Sequence, residues 1–433
     1  MSVNPVDQIK DEQIESPLNL ELQEAIKRLA VLEPSPEAPY LTVILDWVPQ
    51  GDQPNLRVGR RVFTDQTKAM LDPLQAHTPE HDSLSADVQR ISEWLDNEVD
   101  PSAQSVCVVA CNAKGVFEAF ALGVPVPENV ILTGVVPHLS SLVRVAEDYE
   151  PYVVLLADQK EAVMAIISQR HAQATMTAKG DDWPRHQMNG GWSQRRFQNG
   201  AQERIDNFAK EVSEELRSRM DDAGVRRLIL AMDEVAGSAY NGALHQSVQD
   251  RVVGTTQLDI RASMADIITA TSPIIDQAER DRERETVQTV EDSRGEGNLA
   301  VVGADDVIVA LQTGQVMTLV MNDDFRGEGW GDFTLPVYGV GAPPNEHPVG
   351  GDMSDIVPLA LEEEMIRLAI QIGAEIEIVD TNVPVTEGEE GAPIRDTSDP
   401  MPRSEAATIL DAAGGVAALL RYALSDEQST ATI

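Results

Sequence analysis

Apolar side chains along this chain follow two rhythms, and their order lays out the expected elements. Leu41 to Trp47 (Leu-Thr-Val-Ile-Leu-Asp-Trp) is rich in branched residues and predicts a strand. Ala86 to Asn97 repeats its apolar positions at helical spacing, and Val106 to Ala110 and Val130 to Leu132 predict two more strands. The region to about Glu150 therefore reads as α/β. Tyr152 to Ala157 and Glu161 to Ile167 predict paired strands joined around Asp158, Gln159 and Lys160. From roughly Phe197 to Met220, Ile205, Phe208, Val212 and Leu216 recur as one helical face. Arg226 to Met232 predicts a strand, Glu234 to His245 a helix, and Val252-Val253 a short strand. A long helix is expected from Ile260 to about Thr289, interrupted near Pro273, where the ring removes a backbone donor. Opposite charges between Asp276 and Glu285 fit a solvated connecting helix better than a nucleic-acid contact.

A further unit begins near Asn298. Asp305 and Asp306 are expected to cap a helix from Val307 to Thr313 that ends at Gly314, with a strand from Val316 to Met321. From Arg326 to Asp355 the chain is Gly/Pro-rich without periodicity and reads as a long loop or insertion. Gly327, Gly329 and Gly331 lack the strand-to-helix setting of a phosphate cradle. Glu362 to Ile372 predicts a helix, Glu375 to Val379 a strand, and Glu387 to Arg403 an acidic loop.

Composition changes this picture in two places. With 433 residues and 42% hydrophobic content, the chain is large enough for two to four domains with real cores. No apolar run approaches the ~18 residues of a membrane span. The polar, acidic start, Met1 to Asn19, reads as a disordered lead-in rather than a signal peptide, which gives an expectation of cytoplasmic residence. The net charge of −39 argues against general nucleic-acid affinity and speaks to solubility rather than fold. An acid-rich chain with seven lysines against 26 arginines gives the expectation of a salt-adapted host, whose surfaces are acidic irrespective of function. Cys107 and Cys111 share one face of an expected buried strand, too far apart for a local disulfide, and read as reduced thiols. His77 and His81 are spaced as helical metal ligands, but Pro79 between them argues against it, and no metal is expected.

Against the acidic background, one segment stands out. Between residues 169 and 198 the bases are Arg170, Lys179, Arg185, Arg195 and Arg196, and the acids only Asp181 and Asp182, a local charge of +3. Within it lies Asn-Gly-Gly-Trp-Ser-Gln-Arg-Arg-Phe-Gln, residues 189 to 198. Gly190 and Gly191 permit close backbone approach to a ligand, and Gln194 supplies an uncharged amide next to two guanidiniums. By themselves these residues describe either a surface turn before a helix or a working tip for a phosphate-rich partner.

Four segments in order resemble archaeal and eukaryotic class-I peptide release factors and Pelota, specifically their bacterial homologues. Gly190-Gly-Trp-Ser-Gln-Arg-Arg-Phe197 before a polar helix is similar to the family's Gly-Gly-Gln loop. Gly303 to Met321, Ile370 to Val379 and Gly414 to Tyr422 are similar to its third domain. The Gly-Gly-Trp-Ser-Gln form resembles bacterial relatives of the eukaryotic ribosome-quality-control peptidyl-tRNA hydrolase. The C-terminal end resembles Balon-type hibernation factors. The likeness covers about residues 150 to 425; the N-terminal region lacks the family's stop-codon-reading motifs, and the third domain has no cysteine for a zinc minidomain.

This resemblance implies a three-domain α/β architecture, each domain a mixed sheet with packed helices, the last resembling the ribosomal L7Ae-like fold. The implied parts are a lead-in (1–20), an N-terminal α/β domain (21–149), a middle domain with the loop (150–288) and a C-terminal domain (289–425) with an insertion at 326–356. It implies codon-independent peptidyl-tRNA hydrolysis in the ribosomal A site. Gln194 would place water and stabilise the oxyanion, Gly190 and Gly191 would allow the approach, and Arg185, Arg195 and Arg196 would hold RNA phosphate. Trp192 would either stack on a base or pack the loop onto its own domain. The implied partners are large-subunit rRNA, the tRNA acceptor end and a translational GTPase such as EF-Tu; neither cofactor, DNA nor membrane is called for. A different outcome of the same resemblance is a non-enzymatic hibernation factor that fills the A site.

Overall fold

The computed structural model describes residues 18–50, 53–126, 128–158, 160–168, 171–179, 193–295, 299–382 and 402–422. They form a mixed α/β protein in two compact units, one containing Tyr149–Glu279 and the other Leu22–Asp148 together with Arg280–Ile433.

The Tyr149–Glu279 unit is built on a five-stranded mixed sheet. In spatial order its strands are Val252–Thr256, Arg227–Met232, Tyr152–Ala157, Glu161–Ser168 and His171–Lys179. The first three run parallel, and the last two add antiparallel. Tyr152–Ala157 is buried at all six positions because both of its faces are covered. Val153, Leu155 and Ala157 pack with Ile205, Phe208, Val212 and Leu216 of the helix Ser193–Asp222. Tyr152, Val154 and Leu156 pack with Ile267 and Ile275 of the helix Met264–Gly295. The expected hairpin closes at Asp158, whose carboxylate accepts the N–H groups of Lys160 and Glu161 at 2.7 Å each.

In the other unit, Tyr40–Asp46 sits between Ser105–Cys111 and Val130–Gly134, with Val116–Leu122 at the edge, all antiparallel. Leu41, Val43 and Leu45 face a core completed by Phe63, Leu84 and Ile91 from helices Val58–Leu71 and Pro79–Asn97. Cys107 and Cys111 are fully buried free thiols, and burial pushes the Cys107 thiol up to about 12. The second helix begins at Pro79 behind an N-cap on Thr78, so His77 lies before the helix that carries His81. A second sheet has the order Ala300–Val302, Val416–Leu420, Val316–Asn322, Glu375–Val379. Gly414 and Gly415 carry φ values of 87° and 77°, which reverse the chain from the helix Glu405–Asp411 into the strand Val416–Leu420.

Three expectations are corrected. Residues 326–355 are not a long loop. Glu328–Asp332 pairs with both Val337–Val340 and Ile356–Ala360, giving a three-stranded sheet. Its glycines masked any strand periodicity, yet they are what the packing requires: a Cβ at Gly339 would stand 2.3 Å from the Trp330 ring. The helix Met264–Gly295 runs unbroken through Pro273. Hydroxyls of Thr269, Thr271 and Ser272 donate to the carbonyls of Ala265, Ile267 and Ile268 around the proline, and buried Ile267 and Ile275 hold the helix on either side. Asp305 and Asp306 lie in the first turn of the helix Ala304–Gln312, whose N-cap is Gly303, so they act on the helix dipole rather than as caps.

Candidate functional site

The segment with the strongest sequence signal is defined here by its two anchors. Lys179, the last residue of the edge strand, pairs with Glu161 across the sheet. After the segment 180–192 the chain resumes as the 30-residue helix Ser193–Asp222. At 1.5 Å per residue that helix is about 45 Å long. Among the residues whose side chains are described, Ile205, roughly 18 Å along the axis from Ser193, is the first that packs into the core. Gln194, Arg195 and Arg196 are placed by their backbone in the first turn of this helix. Arg185, Gly190, Gly191 and Trp192 lie outside the described residues, as do the side chains of Gln194, Arg195 and Arg196.

A polar junction that the sequence did not advertise lies in the unit formed by Leu22–Asp148 and Arg280–Ile433. The helix Leu361–Gln371 opens with Glu362, Glu363 and Glu364, all buried. Successive helical residues point about 100° apart, so each carboxylate meets a different neighbour. Glu362 accepts the Gly327 N–H at 3.1 Å. Glu363 accepts the N–H groups of Leu139 and Ser140 at 2.6 and 3.0 Å and the Ser140 hydroxyl, capping the helix Ser140–Asp148 from a segment 223 residues away. Burial opposes the Glu363 charge, but His138 and Ser140 outweigh it and keep the carboxyl below its usual value. Glu364 makes a paired hydrogen bond to Arg367 at 2.6 and 2.8 Å. At the helix C-terminus, Arg421 donates to the Ile372 and Gly373 carbonyls.

The same junction holds a small cleft of about 50 Å³, lined among others by Ser140, Arg144, Asp148, Asp323, Arg326 and Ile366. Arg144 reaches Asp323 at 2.8 Å and Asp380 at 3.1 Å and leaves Asp148 at 3.8 Å. One guanidinium thus serves three carboxylates. Burial and the charges of Asp380 and Asp323 push the Asp148 carboxyl up to about 7, despite Arg144. Beside it, burial and Glu377 raise Glu147 well above its usual range. Chemically this is a charge-paired joint between distant segments. A consequence is testable. Because folding raises the Asp148 value from 3.8, its contribution to stability falls as pH rises from about 4 towards 7. Asp148→Asn is expected to raise the melting temperature at pH 8, with the gain shrinking as pH falls to 4; calorimetry across that range checks it.

Comparison with known proteins adds a likeness in sequence over part of the chain. The family whose sequence model matches is bacterial archaeo-eukaryotic release factor family 10, over residues 137–276, which takes in the Gly190–Gln194 segment and its helix. Among solved structures the chain is similar to an archaeal translation termination factor, aRF1, at 16% identity, covering 93% of this chain and 98% of that one with a TM-score of 0.24. It is similar to ribosome-bound archaeal Pelota at 13% identity, covering 98% and 99%, TM-score 0.37. Dom34 of S. cerevisiae matches at 9% identity over 96% of each chain, TM-score 0.38. No curated protein sequence matches the chain. Among the described residues no helix is long and apolar enough to cross a membrane.

Proposed function

We propose that this protein acts in ribosome rescue, entering the ribosomal A site and releasing the nascent peptide from P-site tRNA independently of a codon. The observation that carries this reading is the family match over residues 137–276, which spans the whole Gly-Gly-Trp-Ser-Gln segment. Ester hydrolysis at the peptidyl-transferase centre needs a placed water and donors aimed at the developing oxyanion. Gln194 supplies an amide for the first task and a backbone N–H for the second, with no ionisable group demanded of the protein. Gly190 and Gly191 allow the approach, and Arg185, Arg195 and Arg196 neutralise RNA phosphate in an otherwise acidic chain. A translational GTPase such as EF-Tu is the candidate for delivery.

The test is peptide release from purified stalled ribosome–nascent-chain complexes lacking a stop codon. Release by the added protein is the expected result. Co-sedimentation with ribosomes without release would overturn hydrolysis and leave A-site occupancy, the hibernation role, as the activity. Trp-Ser between Gly191 and Gln194 separates this segment from a plain Gly-Gly-Gln tripeptide, so removal of those two residues is an informative second variant in the same assay.

A further inference from the structure

The three-stranded sheet at Glu328–Ala360 presents a surface that nothing in the described chain covers. Leu335, Val349 and Met353 are 42%, 60% and 39% exposed, each a large apolar side chain in water. One buried pair ties the backbone at Leu335 to the backbone at Val349. The Asp332 carboxylate accepts the N–H groups of Thr334 and Leu335 at 2.6 and 3.1 Å, and its other oxygen takes His347 Nε2–H at 2.9 Å. His347 Nδ1 in turn accepts the Val349 N–H at 3.3 Å. Asp332 and His347 side chains are 0% and 2% exposed. Leu335 lies over Gly351, since a Cβ there would stand 2.7 Å from Leu335 Cδ1 and from His347 Nε2. Met353 follows in a turn that Asp352 closes by accepting the Ser354 N–H. The display is therefore fixed by a buried framework. Clustered exposed apolar groups held rigidly mark a contact surface rather than a chance exposure.

Charge identifies the occupant. Between Gly327 and Ile366 there is no lysine or arginine, and exposed Glu346, Asp352 and Asp355 border the apolar residues. A nucleic acid would bring phosphate against these carboxylates. An anionic membrane surface would do the same. A second copy of a chain of net charge −39 would bring more acid. We propose that this face docks a basic protein surface, one that sets an apolar side chain among Leu335, Val349 and Met353 and lysine or arginine against the acidic rim. Resting on the ribosome-rescue reading, this assigns a basic ribosomal protein as the partner at this face.

The experiment uses the full chain on purified ribosomes from the same source. With Val349→p-benzoylphenylalanine, irradiation is expected to cross-link the protein to a basic ribosomal protein. Leu335→Asp combined with Val349→Asp is expected to weaken ribosome binding about tenfold. Val31→Asp, at a position 66% exposed and outside this sheet, is expected to leave binding unchanged. Cross-links to rRNA alone, or wild-type binding by the double variant, overturn the docking face and leave the ribosome reading standing. Failure of the wild-type protein to co-sediment overturns the ribosome reading and this inference with it.

Discussion

Gln194→Ala is expected to leave ribosome binding intact and to slow peptide release by about 100- to 1,000-fold, the loss typical of removing one preorganised oxyanion or water-placing donor. The prediction follows from the proposed division of labour among three adjacent residues. Gln194 is neutral and would add little to phosphate affinity, whereas Arg195 and Arg196 are always charged and on the proposed reading would carry much of it. Reversing both arginines, Arg195→Glu with Arg196→Glu, is therefore expected to give the opposite signature: weak binding at every salt concentration and a shallower dependence on salt. Sedimentation across a salt series beside single-turnover release separates the two. Equal release by Gln194→Ala and wild type would remove Gln194 from the mechanism.

Glu364→Ala is expected to destabilise its unit by about 3–5 kcal/mol, because it strands the Arg367 guanidinium in the interior. Both side chains are buried, and Arg367 also donates to the Tyr338 hydroxyl at 3.0 Å, tying the helix Leu361–Gln371 to the three-stranded sheet. The melting temperature should fall by roughly 5–15 °C. Replacing the whole network with apolar groups, Glu364→Leu with Arg367→Met and Tyr338→Phe, is expected to recover most of that loss, since no charge or hydroxyl is then left unpaired. Thermal melts of the two variants decide it; a single variant as stable as wild type would mean that the pair contributes nothing.

Elements with a strong period were legible in the sequence. The hairpin at Asp158, the helix carrying Ile205, Phe208 and Val212, and the strand with both cysteines all stand where the pattern put them. The misses have physical causes. Glycines at 327, 329 and 331 erase the apolar alternation that marks a strand, although their small size is what lets Leu359, Leu361 and Tyr338 pack close to this sheet. Three consecutive glutamates resemble a solvated helix face, and only tertiary partners far along the chain, Ser140 for Glu363 and Gly327 for Glu362, bury them. The polar joint at Arg144 was invisible for the same reason, as its partners Asp323 and Asp380 lie well over a hundred residues away. Of the candidate site, the sequence supplied the residues Gly190 to Arg196, and the structure supplies the strand and helix that hold their ends.

The central claim is that residues 190–196 work at the peptidyl-transferase centre. A cryo-EM map of the wild-type protein bound to stalled ribosomes carrying peptidyl-tRNA tests it most directly. The account predicts density for this segment beside the 3′ end of P-site tRNA, with Gln194 facing the ester and Arg195 and Arg196 on phosphate. Density for the protein with this segment away from the tRNA end, or binding confined to ribosomes without P-site tRNA, would contradict it.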